Sequence, residues 1–284
     1  MSYKNAASAT PTLLKITSLR PFEGHPYKVQ DNAEMDALVE SIRVNGILAP
    51  LIVRPVENGG EYEVVSGHRR LHAARKAGLT ELPVLIRALD RDSAAIAVVD
   101  SNLHREHILP SEKAFAYKLK MEALSHRGIT CGQIGHKSRD DISDTDSGRQ
   151  VQRYIRLTHL IPELLEKMDK GEIALSVGVE LSYLDEASQR GVLEQCAIND
   201  CTPSYSQAWR MHKAEREGVL TKDVIQFLMS EEKANQRETV KVPASRLREV
   251  LPKGLDAGKT EDFIIKACEH YRKYLLRQRS RDEI

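Results

Sequence analysis

Glu61-Tyr62-Glu63-Val64-Val65-Ser66-Gly67-His68-Arg69-Arg70-Leu71-His72-Ala73-Ala74-Arg75-Lys76-Ala77-Gly78 is the stretch on which the reading of this chain turns. Residues 61–65 predict a strand. Ser66-Gly67 opens a short helix over 68–77, which Gly78 ends. The helix start brings backbone N–H groups without helical partners, and the positive end of the helix dipole, to one point. Glycine there lets the backbone turn tightly and come close to a ligand. Arg69 and Arg70 add forked donors that match phosphate oxygens. The combination fits a phosphate site, and a plain capped helix with solvated arginines would read the same way. His68 and His72 have zinc-binding spacing, but two arginines lie between them and no H-E-x-x-H glutamate is present.

Upstream, Asp31 and Glu34 have capping-box spacing before a helix over 35–45. Met35, Leu38, Val39 and Ile42 make its apolar stripe and Gly46 its end. Residues 48–54 predict a strand, Asn58-Gly59-Gly60 a hairpin turn back to 61–65, and residues 82–86 a third strand. Beyond Asp90 nearly everything reads as helix: an apolar core at 94–99, a long helix from Pro110 to 127, and a helix from the cap Ser147 to 157. Another starts at Pro162 and closes at Gly171, with more near 176–184, 186–198, 204–217 and 222–234. Residues 130–147 are polar and predict loops. The pattern changes after 233–238. There a short strand at 239–242, a short helix at 245–251 and a long helix over 260–279 resemble a ribbon-helix-helix unit.

Two further clusters carry chemistry. Asp100-Ser101-Asn102-Leu103-His104-Arg105-Glu106 packs polar residues at a helix junction. Asn102 offers a carbonyl oxygen to a hard cation, with Asp100 beside it, and Arg105 offers a phosphate contact. A charged interhelical loop is the plainer reading of that cluster. On the helix after Ser147, Val151, Tyr154 and Ile155 make the buried face, while Arg149, Gln150, Gln152, Arg153 and Arg156 are left exposed. Arginine reads guanine and glutamine reads adenine in a major groove, so this helix is a candidate DNA-reading element. An ordinary surface helix could look the same.

Composition sets the outer bounds. The chain has 284 residues, 41% hydrophobic, 29% charged and 5% aromatic, which suits a helix-rich soluble protein. At roughly 100–200 residues per domain, two or three domains are expected. Forty-two Lys and Arg against 41 Asp and Glu leave a net charge of +1, so any basic surface is local. No apolar run is long enough to span a bilayer, and the start has no signal-peptide core. Cys131, Cys196, Cys201 and Cys268 form no C-x-x-C pair, which fits a reducing cytoplasm. The expected organisation is a disordered lead over 1–12, an α+β domain with a small mixed sheet over 13–109, a helical domain over 110–233, and a homodimerisation module over 236–284. The last is too small to bury a core alone.

The clusters occur in a specific order: residues 45–54 (Asn-Gly-Ile-Leu-Ala-Pro-Leu-Ile-Val-Arg), then Ser66-Gly67-His68-Arg69-Arg70, then residues 101–114. This order resembles the N-terminal domain of the ParB/RepB partition proteins, most of all the branch found with plasmids and integrative elements. Residues 147–184 are similar to that family's helix-turn-helix domain. The resemblance implies a ParB N-terminal, sulfiredoxin-like fold followed by an all-α helix-turn-helix domain and a small β-α-α module. It implies a cytoplasmic, nucleoid- or plasmid-associated protein that binds double-stranded DNA at a centromere-like site, takes CTP and Mg²⁺, closes as a homodimeric clamp and works with a Walker-type ATPase, without a membrane partner. Carried over by position, Gly67, Arg69 and Arg70 would hold the triphosphate with His68 between them, and Gly46, Ile47 and Pro50 would shape the pocket. Asn102, Arg105 and Glu106 would face the phosphates and magnesium, Asn102 as metal ligand. Ser147, Arg149, Gln150, Gln152, Arg153 and Arg156 would meet DNA. Many members carry glutamate at the positions of His68 and Ser101, and residues 138–146 are short and acidic for a first helix of the DNA motif. The chain is therefore expected to be at most a slow CTPase. A transcriptional regulator with a vestigial pocket is the alternative, and a nuclease or kinase on the same fold a more distant one.

Overall fold

The computed structural model describes residues 10–56, 60–103, 105, 107–126, 143, 146–231, 250–252 and 259–282. Two compact units divide the chain, 1–231 and 232–284. The first opens with β1 (Thr12–Lys15), a 3₁₀ turn (Ile16–Ser18), β2 (Leu19–Pro21), α1 (Ala33–Asn45), β3 (Leu51–Pro55), β4 (Tyr62–Ser66), α2 (His68–Ala77), β5 (Glu81–Ile86) and α3 (Arg91–Asp100). The sheet order is β1-β5-β3-β4-β2. The β1/β5 and β3/β4 pairs are antiparallel, while β3/β5 and β2/β4 are parallel, so the sheet is mixed as expected. The sequence pattern misses β1 and β2. At four and three residues they are too short to show a period, and pairing with β5 and β4 makes them strands.

Several local expectations shift for physical reasons. The cap of α1 is Asn32, whose Oδ1 accepts from the Met35 N–H at 3.0 Å, and not Asp31. Asp31 is taken by α2 instead, with His72 Nε2 and Lys76 Nζ each at 2.9 Å. β3 starts at Leu51 rather than 48, because the carbonyls of Ala49 and Pro50 are held by Arg70. The turn at Asn58-Gly59 lies outside the described residues.

Leu51, Val53, Val64, Leu82 and Val84 of the central strands pack with Leu71 and Ala74 of α2. Val65 points the other way, into a cluster with Ala94, Val98 and Val99 of α3. Glu63 shares that second face of β4 and is only 1% exposed. Arg54 answers it, with Nη2 at 2.6 Å and Nε at 2.8 Å from Oε2, and the Glu23 N–H reaches Oε1 at 3.2 Å.

The helical part follows: α4 (Pro110–His126), α5 (Gly148–Arg156), α6 (Pro162–Asp169), α7 (Leu175–Leu181), α8 (Glu186–Ile198), α9 (Tyr205–Arg216) and α10 (Lys222–Ser230). Its core gathers Leu157, Leu164, Leu181, Met211 and Ile225. α4 serves both parts: Ala116 and Ala123 join the α3 cluster, while Tyr117 packs on Val151 of α5. The second unit is described chiefly by α11 (Thr260–Asp282), on which Phe263, Tyr271, Tyr274 and Leu275 are exposed. The expected strand at 239–242 lies outside the described residues, as does the helix at 245–251 except for its last two positions. No described helix is long and apolar enough to cross a membrane.

Glu63→Ala leaves the largely covered guanidinium of Arg54, 12% exposed, without its charge partner. We expect a loss of about 3–5 kcal/mol in urea unfolding, against under about 1 kcal/mol for Glu40→Ala, whose pair with Arg43 is exposed.

Candidate functional site

The Gly67 turn opens on a cleft of about 590 Å³. Its wall is His25, Tyr27, Lys28, Val29, Glu34, Ala37, Leu38, Ser66, Gly67, His68, Arg69, Arg70, Ser101, Asn102 and Arg105. Three segments distant in sequence thus meet: the loop before α1 with α1 itself, the β4–α2 turn, and the end of α3. Lys28, Arg69, Arg70 and Arg105 face one carboxylate among these residues, that of Glu34, so the cleft is cationic although the chain is nearly neutral.

Gly67 caps α2 with φ 106° and ψ 25°, a left-handed conformation that favours glycine. A Cβ there would lie 2.9 Å from Leu51 Cγ and 3.2 Å from Arg70 Nη2, so strand and arginine both close on the bare backbone. Arg70 is half spent on structure. Its Nη1 donates to the carbonyls of Ala49 and of Pro50, the latter at 3.0 Å, and burial lowers its pKa. Arg69 is exposed and pairs with Glu34 at 3.1 Å. Gly46, Ile47 and Pro50 do not line the cleft. Ile47 packs into the core beside α1 and α2, and Pro50 acts on the cleft through Arg70.

His68 turns away from its place between the phosphate donors. Its Nε2 accepts from the Phe22 N–H at 3.3 Å, and its ring lies tilted by 36° against that of His25 with centroids 3.6 Å apart. Burial first, then His25 and Arg105, push His68 down to about 3, so the ring is neutral at physiological pH. His25 donates Nδ1–H to the Tyr27 carbonyl at 2.8 Å, and burial lowers its pKa as well. Its Nε2 is buried without a hydrogen bond.

At the end of α3, Asn102 is buried and its amide protons go to the Val98 carbonyl at 2.7 Å and Ser101 Oγ at 3.2 Å. The Oδ1 is the atom left for a ligand. Asp100, expected to help with a cation, instead pairs with Lys120 at 2.6 Å. Arg105 lies over the Tyr27 ring at 5.6 Å. Glu106 lies outside the described residues. A magnesium ion is held by one or two carboxylates together with phosphates. The described residues offer the neutral Asn102 oxygen, and Glu34 is committed to Arg69, so they do not fit a protein-held magnesium site.

The second element is α5. Ser147 caps it, its Oγ accepting from the Gln150 N–H at 3.3 Å. Val151 is buried, and Tyr154 meets Tyr117 edge-on at 5.9 Å, as the apolar stripe implies. Asp146, just before the cap, holds Lys113 at 2.7 Å and the Tyr117 hydroxyl at 2.5 Å, tying the helix start to α4. Arg149 is exposed, and Gln150 and Arg153 bond to each other at 3.3 Å. Two expected DNA contacts are turned into packing. Gln152 reaches Met121 Sδ at 3.7 Å. Arg156 donates to Ser182 Oγ at 3.2 Å and to the Ser182 carbonyl at 2.8 Å, and lies 4.0 Å over the Tyr183 ring. Residues 127–142, where the first helix of a helix-turn-helix would fall, are outside the described residues. Sequence reasoning missed Lys28, Tyr27 and His25 of the cleft, since nothing local in that loop marks it as facing residues 67–70.

Residues 2–103 match the ParB N-terminal domain family. Over 206 residues the chain is 32% identical to the probable chromosome 1-partitioning protein ParB of Deinococcus radiodurans, covering 72% of this chain and 67% of that one. It is 37% identical over 164 residues to the chromosome-partitioning protein Spo0J of Thermus thermophilus, covering 56% and 55%. The chain thus spans about half to two thirds of these relatives. Among solved structures, a C-terminally truncated ParB from Caulobacter crescentus complexed to the centromeric parS site is 22% identical, with a TM-score of 0.41, covering 77% of this chain and 98% of that one.

The buried imidazole sets a pH dependence. Below the ordinary histidine pKa of about 6.5 the unfolded chain takes up a proton at His68 that the folded chain refuses until about pH 3. Stability contributed by the neutral ring is therefore full above pH 6.5 and falls with pH, by at most about 1.4 kcal/mol per unit. His68→Gln keeps an acceptor for Phe22 and removes the titration. Its urea midpoint should fall less steeply than wild type between pH 6 and pH 4, and equal slopes would show that His68 titrates normally.

Proposed function

The chain belongs to the ParB family of partition proteins, and on that premise we propose that it is a site-specific DNA-binding protein whose hold on DNA is gated by a nucleoside triphosphate, CTP, in the cleft at Gly67. The observation that carries this reading is the cationic cleft itself, where Arg69, Arg70, Arg105 and Lys28 gather around a left-handed glycine at a helix start. Such a place suits an anion with several phosphates. The DNA-reading residues on this account are Arg149, Gln150 and Arg153 of α5, with Arg156 and Gln152 holding that helix in place.

The proposed role is segregation or maintenance of a plasmid or integrative element, from the likeness of its motifs to that branch, though the relatives are named for chromosomes. A homodimer through 236–284 and a Walker-type ATPase partner complete the reading. A second reading, a regulator with a vestigial pocket, is favoured by one observation: Ser101 stands beside Asn102 and takes one of its amide protons, so the side chain at that position is a hydroxyl and not a carboxylate that could hold a metal. Hydrolysis on our reading is therefore very slow or absent.

Calorimetric titration with CTP, ATP, GTP and UTP tests the first reading. We expect CTP to bind and Arg69→Ala to weaken it by about 1.5–3 kcal/mol, the size of a charge-assisted contact, with the melting temperature unchanged. Arg70→Ala should lower both affinity and stability, since it frees the 49–50 carbonyls. A chain that binds none of the four favours the regulator.

Selection from a random DNA pool tests the second element. Replacing Arg149, Gln150 and Arg153 together by alanine should abolish the preferred site, at about 1–3 kcal/mol per base-reading residue. Arg156→Ala should instead lower the melting temperature. A triple variant that still selects the same sequence moves recognition off α5.

A further inference from the structure

Lys28 lines the cleft, yet its ammonium is engaged elsewhere, 3.1 Å from Asp169 Oδ2 at the last residue of α6. The same carboxylate serves the start of α4. Its Oδ1 accepts the Ser111 N–H at 3.0 Å and its Oδ2 the Ser111 hydroxyl at 2.6 Å. Those first N–H groups of α4 have no partner within their helix, so Asp169 caps α4 from a neighbouring helix. The Lys28 backbone is pinned alongside: its N–H donates to Glu112 Oε1 at 2.8 Å, while Glu112 Oε2 accepts the Leu109 N–H at 3.1 Å. Cleft wall, α4 and α6 thus converge on two buried carboxylates, one side chain apart.

The partners are unequal. The Asp169 side chain is 8% exposed and that of Lys28 57%. Asp169 cannot leave without stranding Ser111, whereas Lys28 swings on a flexible stem. If Lys28 departs, two Ser111 donors still hydrogen-bond Asp169, which keeps its geometry although it loses its counter-charge. A further carboxylate near this lysine, Glu166, is paired with Lys170 at 2.8 Å. A polyphosphate in the cleft brings several negative charges against the single one of Asp169.

We propose that Lys28 is a further anion-binding residue of the cleft, and that its ammonium passes from Asp169 to a ligand phosphate when the cleft fills, releasing the side-chain tie between cleft wall and α6. The proposal rests on the reading of the cleft as a polyphosphate site. Coupling of this kind is reciprocal: whatever weakens the claim of Asp169 on Lys28 strengthens ligand binding.

The test is a double-mutant cycle on the full chain, read by calorimetry with CTP and, separately, inorganic tripolyphosphate. Lys28→Met should lower affinity for both. Asp169→Asn should raise it roughly two- to fivefold, the size of a half-exposed ion pair. In the Lys28→Met background Asp169→Asn should change nothing. An equal rise in both backgrounds is only the field of a lost charge and overturns the proposal, as does a fall in both. Should Asp169→Asn not fold, Lys28→Met with unaltered melting and unaltered affinity overturns it alone. If tripolyphosphate binds and obeys the cycle but CTP does not bind, the nucleotide reading falls and the role of Lys28 stands. If CTP binds and the cycle is flat, Lys28 falls and the nucleotide reading stands. If neither ligand binds, both fall.

Discussion

The backbone of Gly67 is the constraint on which the N-terminal site depends. At φ 106° it turns β4 directly into α2, and the missing side chain leaves room for Leu51 of the neighbouring strand and for the Arg70 guanidinium. Any other residue would carry left-handed strain and a Cβ 2.9 Å from Leu51 Cγ. Arg70, drawn in by that vacancy, clamps the carbonyls of Ala49 and Pro50 and so decides where β3 begins. The start of α2 thereby lines the cleft, with Gly67, His68 and Arg69 on its wall.

Charge in the cleft is arranged by exclusion as much as by attraction. The rings of His25 and His68 meet at a tilt, and burial and Arg105 both lower their pKa. Asp100, at the end of α3, is drawn off by Lys120, and Ser101 adds only a hydroxyl. Among the described residues the cleft wall is left with Lys28, Arg69, Arg70 and Arg105 against the single carboxylate of Glu34, beside the neutral amide oxygen of Asn102.

α4 is the element on which the parts of the first unit meet. One face packs on α3 beneath the sheet, another carries Tyr117 against α5, and its start is capped by Asp169 of α6. A change at its first turn is therefore felt both by the cleft wall and by the helix bearing Arg149.

Much of this was legible in the residues themselves. The period of Met35, Val39 and Ile42, the run from β4 through Gly67 to Gly78, and the cap at Ser147 are local signals, written in spacing and backbone preference, and the elements lie where those signals put them. The ordered motifs named the family. Other features are decided between segments. β1 and β2 exist because β5 and β4 offer them edges; Asn32 rather than Asp31 caps α1 because α2 takes Asp31; Arg156 and Gln152 look solvent-facing on a helical wheel until α7 and α4 pack against them. The cleft is the clearest case. Its lysine, tyrosine and histidine come from a loop with no periodicity, and only the packing of that loop against α4 and α6 brings them to Gly67, since a hydrogen bond across more than a hundred residues leaves no trace in local spacing.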